Sequence, residues 1–209
     1  MSDLNKLISP PPTPAPNDSL NSAAHSATSH GNPHHAIVQR LQQQHPNYAK
    51  NGVLLVDVSE QMMYVFRGNS PMQKFPISTA TKGEGSQAGS DKTPLGAHRV
   101  SERYGDGAPL GTIFKARQNT GKIAEIITEP KDVKHDYVTT RILWLDGLEA
   151  GKNKGQGIDS HDRYIYIHGT AEEGLIGQKA SHGCIRMKNA DVVKLYQQIP
   201  VDALVYIQL

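Results

Sequence analysis

From residue 52 onward, apolar and polar positions follow one another in short runs punctuated by glycine-rich turns, the pattern of β-strands. Residues 53–58 and 62–67, separated by Ser59-Glu60-Gln61, read as a hairpin, and residues 75–80 as a third strand. A Gly/Ser/Lys loop over 82–92 leads through Thr93-Pro94-Leu95-Gly96 into a strand at 98–101. Further strands are predicted around 111–116, 137–145, 163–168 and 204–209. Helical spacing occurs twice. Ile37, Val38 and Leu41 mark a short amphipathic helix stopped before Pro46. Val192, Tyr196 and Ile199 line one face of a longer helix that Asn189 caps and Pro200 ends. Many short strands with one clear helix, near the C-terminus, predict a mostly β domain of sandwich or barrel-like form.

Residues 1–35 have a different texture. They are rich in Pro, Ser, Asn, Ala and His, without periodicity or an aromatic side chain. Such a segment cannot bury enough apolar area to offset its ordering entropy, so a disordered tail is expected. Residues 36–52 then form the short helix and a linker, and 53–209 the folded domain. The histidines His25, His30, His34 and His35 have no carboxylate or thiolate beside them and read as polar surface rather than a metal site. The stretch 104–157, rich in charge and glycine, reads either as a lid over a cleft or as extended loops.

Composition narrows the classes. The 209 residues carry 22 Lys+Arg against 20 Asp+Glu, a formal net charge of +2, which gives no electrostatic case for binding nucleic acid. One cysteine excludes an intramolecular disulfide and any zinc site that needs two thiolates, and leaves a single reactive thiol open. Apolar runs such as 53–56 and 142–145 are far too short to span a membrane. No apolar stretch of leader length precedes Ala36, which points to a cytoplasmic protein; a native leader replaced by a start Met would make it periplasmic.

The densest chemistry lies between Tyr164 and Met187. Alternation in Tyr164-Ile165-Tyr166-Ile167-His168 puts Tyr164, Tyr166 and His168 on one face of a strand and the isoleucines in the core, with Gly169 ending the strand behind His168. Sixteen residues on comes Cys184, within Ser181-His182-Gly183-Cys184-Ile185-Arg186-Met187. Small residues beside a thiol let backbone amides converge, as an oxyanion hole requires. An imidazole can draw the proton from a thiol of pKa about 8.5 to give a thiolate–imidazolium pair, and later protonate a leaving amine. Both His168 and His182 qualify as that base. No Asp or Glu adjoins the motif, so a backbone carbonyl, Gly169 being closest to His168, is the natural group to orient the ring. A zinc site built from His168, His182 and Cys184 is a second reading. Arg186 reads either as solvated surface or as a carboxylate-binding fork. Trp144 reads as core or cleft wall, and it and Arg141 would border the site if strand 137–145 does.

His168-Gly169-Thr170, Gly177 and Ser181-His182-Gly183-Cys184-Ile185-Arg186-Met187 resemble the signature of the YkuD-type L,D-transpeptidase family, and the resemblance runs from about residue 53 to 209, including Thr93-Pro94-Leu95-Gly96. It implies a β-sandwich with the cysteine in a cleft. It also implies Cys184 as nucleophile, His168 as the base oriented by the Gly169 carbonyl, and an oxyanion hole from the amides of His182, Gly183 and Cys184. Candidate substrate-binding residues are Arg186, Ser181, Tyr166, Thr170, Arg141 and Trp144. The implied reaction is attack on a peptidoglycan stem tetrapeptide between the L-centre of diaminopimelate and terminal D-Ala, with no metal or organic cofactor, no nucleic acid and no membrane insertion. Carbapenems are the implied inhibitors. Peptidoglycan fragments or precursors are the expected partners, and a cytoplasmic setting favours water as acceptor, giving an L,D-carboxypeptidase of murein recycling. A periplasmic setting favours cross-linking or D-amino acid exchange. A catalytically silent murein-peptide-binding module is the alternative of another class.

Overall fold

The computed structural model describes residues 34–133 and 136–209, so the tail expected over 1–35 lies outside the described residues up to position 33. In chain order the elements are α1 (His35–Gln44), α2 (Pro46–Ala49), β1 (Val53–Asp57), β2 (Met62–Arg67), β3 (Ser70–Pro76), β4 (Gly96–Tyr104), β5 (Thr112–Lys115) and β6 (Gln118–Ile123). They continue with β7 (Val138–Gly147), β8 (Tyr166–Thr170), a 3₁₀ turn at Glu173–Leu175, β9 (Ile185–Met187), α3 (Asn189–Gln198) and β10 (Leu204–Gln208).

One hydrogen-bonded sheet runs in the order β3-β2-β1-β10-β4-β7-β5-β6, and β8 and β9 continue from β7 on a second branch. β1 shows why the sheet needs two layers of cover. Its Leu54 and Val56 enter one core while Val53 and Leu55 enter another. Both faces are buried, and the apolar run is accordingly continuous rather than alternating. The larger core collects side chains from β1, β2, β7, β8, β9 and β10 together with Val192, Leu195 and Tyr196 of α3. Strands from both ends of the sheet thus close on one interior, the sandwich-like arrangement expected. α1 covers the opposite face with Val38 and Leu41. A third cluster, Phe114, Ile142, Trp144 and Tyr166, packs against Cys184.

Several local readings are corrected. His34 and His35, assigned to the tail, belong to the folded part: His35 opens α1, and the buried His34 ring lies 4.2 Å from that of Tyr64. Residues 77–80 are not a strand continuing β3 but a buried segment joined to the site by isolated bridges, Ser78 with Arg186 and Ala80 with Ser181. Asn189 is the first residue of α3 rather than its cap. Its side chain is drawn inward, accepting from Thr139 Oγ1 (2.7 Å) and Thr140 Oγ1 (2.5 Å) and donating to the Thr170 carbonyl (2.8 Å). The Glu173 carboxylate accepts from the Asn189 N–H instead, at 2.8 Å. Stretch 104–157 contains a hairpin, β5–β6, whose second strand is exposed throughout and leaves no hydrophobic pattern to read. Its turn residues Ala116 and Arg117 both have positive φ, 49° and 67°, the geometry of a primed hairpin turn.

Candidate active site

Parallel pairing of β8 with β9 brings the two halves of the motif together. The register sets Ile167 opposite Ile185 and His168 opposite Arg186, so Cys184, one residue before β9, lies beside Tyr166. The Tyr166 N–H points at the sulfur at 3.4 Å, and the thiol in turn donates to the Tyr164 carbonyl at 3.4 Å. Tyr164 is not in the strand. At φ 57° it occupies the left-handed region, uncommon for a bulky side chain, and this turn aims its carbonyl at Cys184 while leaving its ring exposed. Tyr166 and His168 do share a face, with Ile167 in the large core.

His168 is 2 % exposed, and its Nδ1 lies 2.7 Å from the Gly169 carbonyl. A carbonyl only accepts, so Nδ1 carries the proton and Nε2 is left as the basic nitrogen. Burial lowers the pKa of His168, against the opposing pull of Asp136 and the Gly169 carbonyl. Burial pushes the Cys184 thiol up to about 11, with Asp136 adding to the rise and Tyr166 N–H, Arg186 and Arg163 opposing it. The resting pair is therefore a neutral thiol and a neutral imidazole. The thiolate–imidazolium pair that an imidazole can make with a thiol then forms only when a ligand or a transition state supplies a counterpart to its charges.

The remaining motif residues organise the turn. Ser181 is 2 % exposed; its hydroxyl donates to the Cys184 carbonyl at 2.6 Å and accepts from Gly183 N–H at 3.2 Å. It braces the loop rather than facing a ligand, and of the three amides named for an oxyanion hole that of Gly183 is engaged inside the turn. Gly183 has φ 126°, and its carbonyl accepts from Thr93 Oγ1 at 3.1 Å, which ties Thr93-Pro94-Leu95-Gly96 to the motif. Thr170 is fully buried, with Oγ1 accepting from Glu172 N–H. Arg186, 1 % exposed, is held between Glu172 (2.8 Å) and Asp136 (2.5 Å). Its fork does bind carboxylates, but they are the protein's own. Arg141 donates to the carbonyls of Ala108 and Thr140, and its guanidinium lies 5.5 Å from the Tyr196 ring centroid. A register shift between Thr139 and Ile142, with Thr140 at φ 64°, interrupts the alternation of β7 at this residue.

Trp144 stands beside the site as a wall. His161 stacks on it at 3.9 Å, Arg117 lies 4.4 Å from its ring centroid, and Tyr166 meets it edge-on. Arg117 also donates to the Tyr166 hydroxyl at 3.1 Å, so the hairpin tip is fastened to the aromatic cluster. Cavities of about 460 Å³ and 440 Å³ flank this hairpin, and Phe114 lines both.

Sequence reasoning missed Asp136, Glu172 and Arg117. Glu172 lies four residues beyond His168 and could have been weighed. Asp136 arrives from the loop preceding β7, and no local pattern announces it. Its carboxylate takes His182 Nδ1 at 3.0 Å as well as Arg186. Burial alone would raise its pKa, but Arg186, His168 and the hydrogen bonds from Arg186 and His182 hold it below the usual value. His182 is thereby turned to Asp136, and His168 Nδ1 to Gly169. Among the described residues no group of three or more His, Cys, Asp or Glu is arranged to hold a metal ion, and no helix is long and apolar enough to cross a membrane.

Comparison with known proteins gives three results. A family model described as the L,D-transpeptidase catalytic domain, YkuD, matches residues 51–207. A provisionally named L,D-transpeptidase of Bacillus subtilis (strain 168), YqjB, is 53% identical over 47 residues, 22% of this chain and 27% of that protein. Among solved structures, an L,D-transpeptidase from Mycobacterium smegmatis aligns at 15% identity with a TM-score of 0.45, over 76% of this chain and 59% of that one. L,D-transpeptidase 3 from Mycobacterium tuberculosis, in complex with a faropenem-derived adduct, aligns at 15% identity with a TM-score of 0.47, over 76% and 60%. The matches span less than two thirds of the length of each of these relatives. With the family model covering residues 51–207, the chain belongs to the YkuD family of L,D-transpeptidase catalytic domains.

Proposed function

We propose that Cys184 and His168 carry out acyl transfer on peptidoglycan stem tetrapeptides. The observation that carries this reading is the His168 Nδ1–Gly169 carbonyl bond, which leaves Nε2 basic on the strand whose Tyr166 N–H reaches the thiol. The thiol attacks the carbonyl of the diaminopimelate L-centre as its proton passes to His168. The imidazolium then protonates the departing D-Ala amine, leaving a thioester on Cys184. The backbone amides of His182 and Cys184 are the proposed stabilisers of the oxyanion, that of Gly183 being taken by Ser181.

Two acceptors can resolve the thioester. An amine gives a cross-link or an exchanged stem, the outcome for which the family's catalytic domain is named. Water gives a tripeptide, the L,D-carboxypeptidase outcome suited to recycled fragments in a cytoplasm. Carbapenems are expected to acylate Cys184 in either case. Mass spectrometry of a disaccharide tetrapeptide incubated with the protein, with and without D-methionine, tests the proposal beside Cys184→Ala. D-Ala loss that Cys184→Ala abolishes supports it; exchange with D-methionine selects transfer, and tripeptide unaffected by D-methionine selects hydrolysis. Binding without any turnover would replace it with the silent binding module.

A further inference from the structure

The cavity between the β5–β6 hairpin and segment 136–138 has walls of opposite charge. Its volume, about 460 Å³, falls within the roughly 300–1,000 Å³ typical of small-ligand sites. Ile113, Phe114 and Val138 give it an apolar floor, and Phe114 packs in the cluster that touches Cys184. Lys115 and Lys122 stand on the hairpin side and Asp136 opposite. Neither lysine has an ion-pair partner among the described residues.

Asp136 is fixed in place and yet not neutralised. Its Oδ2 takes both Arg186 and His182, which sets the carboxylate plane, and its side chain keeps 30% of its surface exposed. Arg186 is shared with Glu172, so one guanidinium stands against two carboxylates. Arg186, Glu172 and Asp136 together carry one net negative charge, and Asp136 is the member that lines the cavity. A lone ammonium would answer only that wall, and a lone carboxylate only the lysines. A ligand with both charges on one carbon answers each.

We propose that this cavity binds the zwitterionic α-amino-acid group, its ammonium on Asp136 and its carboxylate on Lys115 and Lys122. The proposal rests on the acyl-transfer reading above for its substrates, since two of them carry that group: a free D-amino acid, and the far end of the diaminopimelate side chain of a stem.

The test is a nuclear magnetic resonance titration of the full-length protein with D-methionine, D-methioninamide and N-acetyl-D-methionine. The amide lacks the carboxylate and the acetylated form lacks the ammonium. D-Methionine is expected to bind at least tenfold more tightly than either. Lys115→Ala/Lys122→Ala should erase the preference over the amide, and Asp136→Asn the preference over the acetylated form. A stem tripeptide with diaminopimelate and one with lysine, titrated alongside, separate the sources: a diaminopimelate preference that the lysine substitutions erase assigns the site to stems, and D-methionine binding without it assigns the site to free amino acids. Three methionine ligands binding alike, no saturable binding of any ligand, or variants with native circular dichroism and unchanged preferences would each overturn the proposal. Turnover is recorded separately. A protein that binds the zwitterion and releases no D-Ala keeps the site and loses the acyl-transfer reading; the reverse result does the opposite.

Discussion

The neutral resting thiol has a measurable consequence in alkylation by iodoacetamide across pH. Burial first, then Asp136, raises Cys184 from 9.0 to about 11, a bias toward the protonated form of about 2.7 kcal/mol at about 1.36 kcal/mol per unit. At pH 8 only about one molecule in a thousand then holds the thiolate, against about one in four for a free thiol of pKa about 8.5. A more basic thiolate is intrinsically the better nucleophile, and a Brønsted coefficient of about 0.4 returns roughly a factor of ten. The net expectation is alkylation roughly 20-fold slower than that of a free cysteine, with a logarithmic rate that climbs about one unit per pH unit from 7 to 9.5 and reaches no plateau. His168→Gln should leave that slope in place, because the imidazole at rest holds no proton from the thiol, while removing turnover. A pH-independent rate near 7 that His168→Gln abolishes would instead report a standing thiolate–imidazolium pair and rule out a neutral resting thiol.

Two further outcomes follow from buried charge. Arg186→Ala strands the buried Glu172 carboxylate and should lower unfolding free energy by about 3–5 kcal/mol in urea titration, whereas Glu172→Gln, which keeps a hydrogen-bond acceptor, should cost clearly less; equal losses would sink the triad as a stabilising unit. His98 is fully buried, its Nδ1 on the Gly96 carbonyl and its Nε2 on Ser160 Oγ, and burial lowers its pKa from 6.5 to about 4. A base depressed in the fold contributes stability that is present above pH 6.5 and is lost as pH falls toward 4, about 3 kcal/mol in all. His98→Gln should flatten that part of the profile, and parallel profiles for the two proteins would contradict it.

The sequence carried the site's local parts and missed its long-range ones, for a physical reason visible in single residues. Alternation sufficed for Tyr166 and His168 because β8 is regular there, and the Gly169 carbonyl is covalently next to the ring it orients. Arg141 and Trp144 were named from one strand, and only the bulge at Thr140 and the partners of each side chain tell them apart. Ser181 and Thr170 were placed in the right loop, but a short hydroxyl serves a turn as readily as a ligand, and only the partners decide. β6 and Asp136 left no trace at all. A strand exposed on both faces has no hydrophobic period, and a loop carboxylate meets its arginine through the fold alone, 50 residues along the chain.

Asp136 joins the two halves of the argument. Its charge opposes formation of the Cys184 thiolate and favours protonation of His168, so it pulls on the two partners of one proton transfer in opposite senses with respect to charge. While the cavity is empty, the balance lies with burial, and the thiol stays protonated against the Tyr164 carbonyl. A ligand ammonium docked on Asp136 would cancel the part of the field that repels a thiolate. The thiol would then ionise more readily with the amino-acid group in place than without it. Recorded with saturating D-methionine, the iodoacetamide profile should therefore move to lower pH, and Asp136→Asn should remove the shift. A profile that ignores the ligand would mean that the carboxylate holds the loop and nothing more.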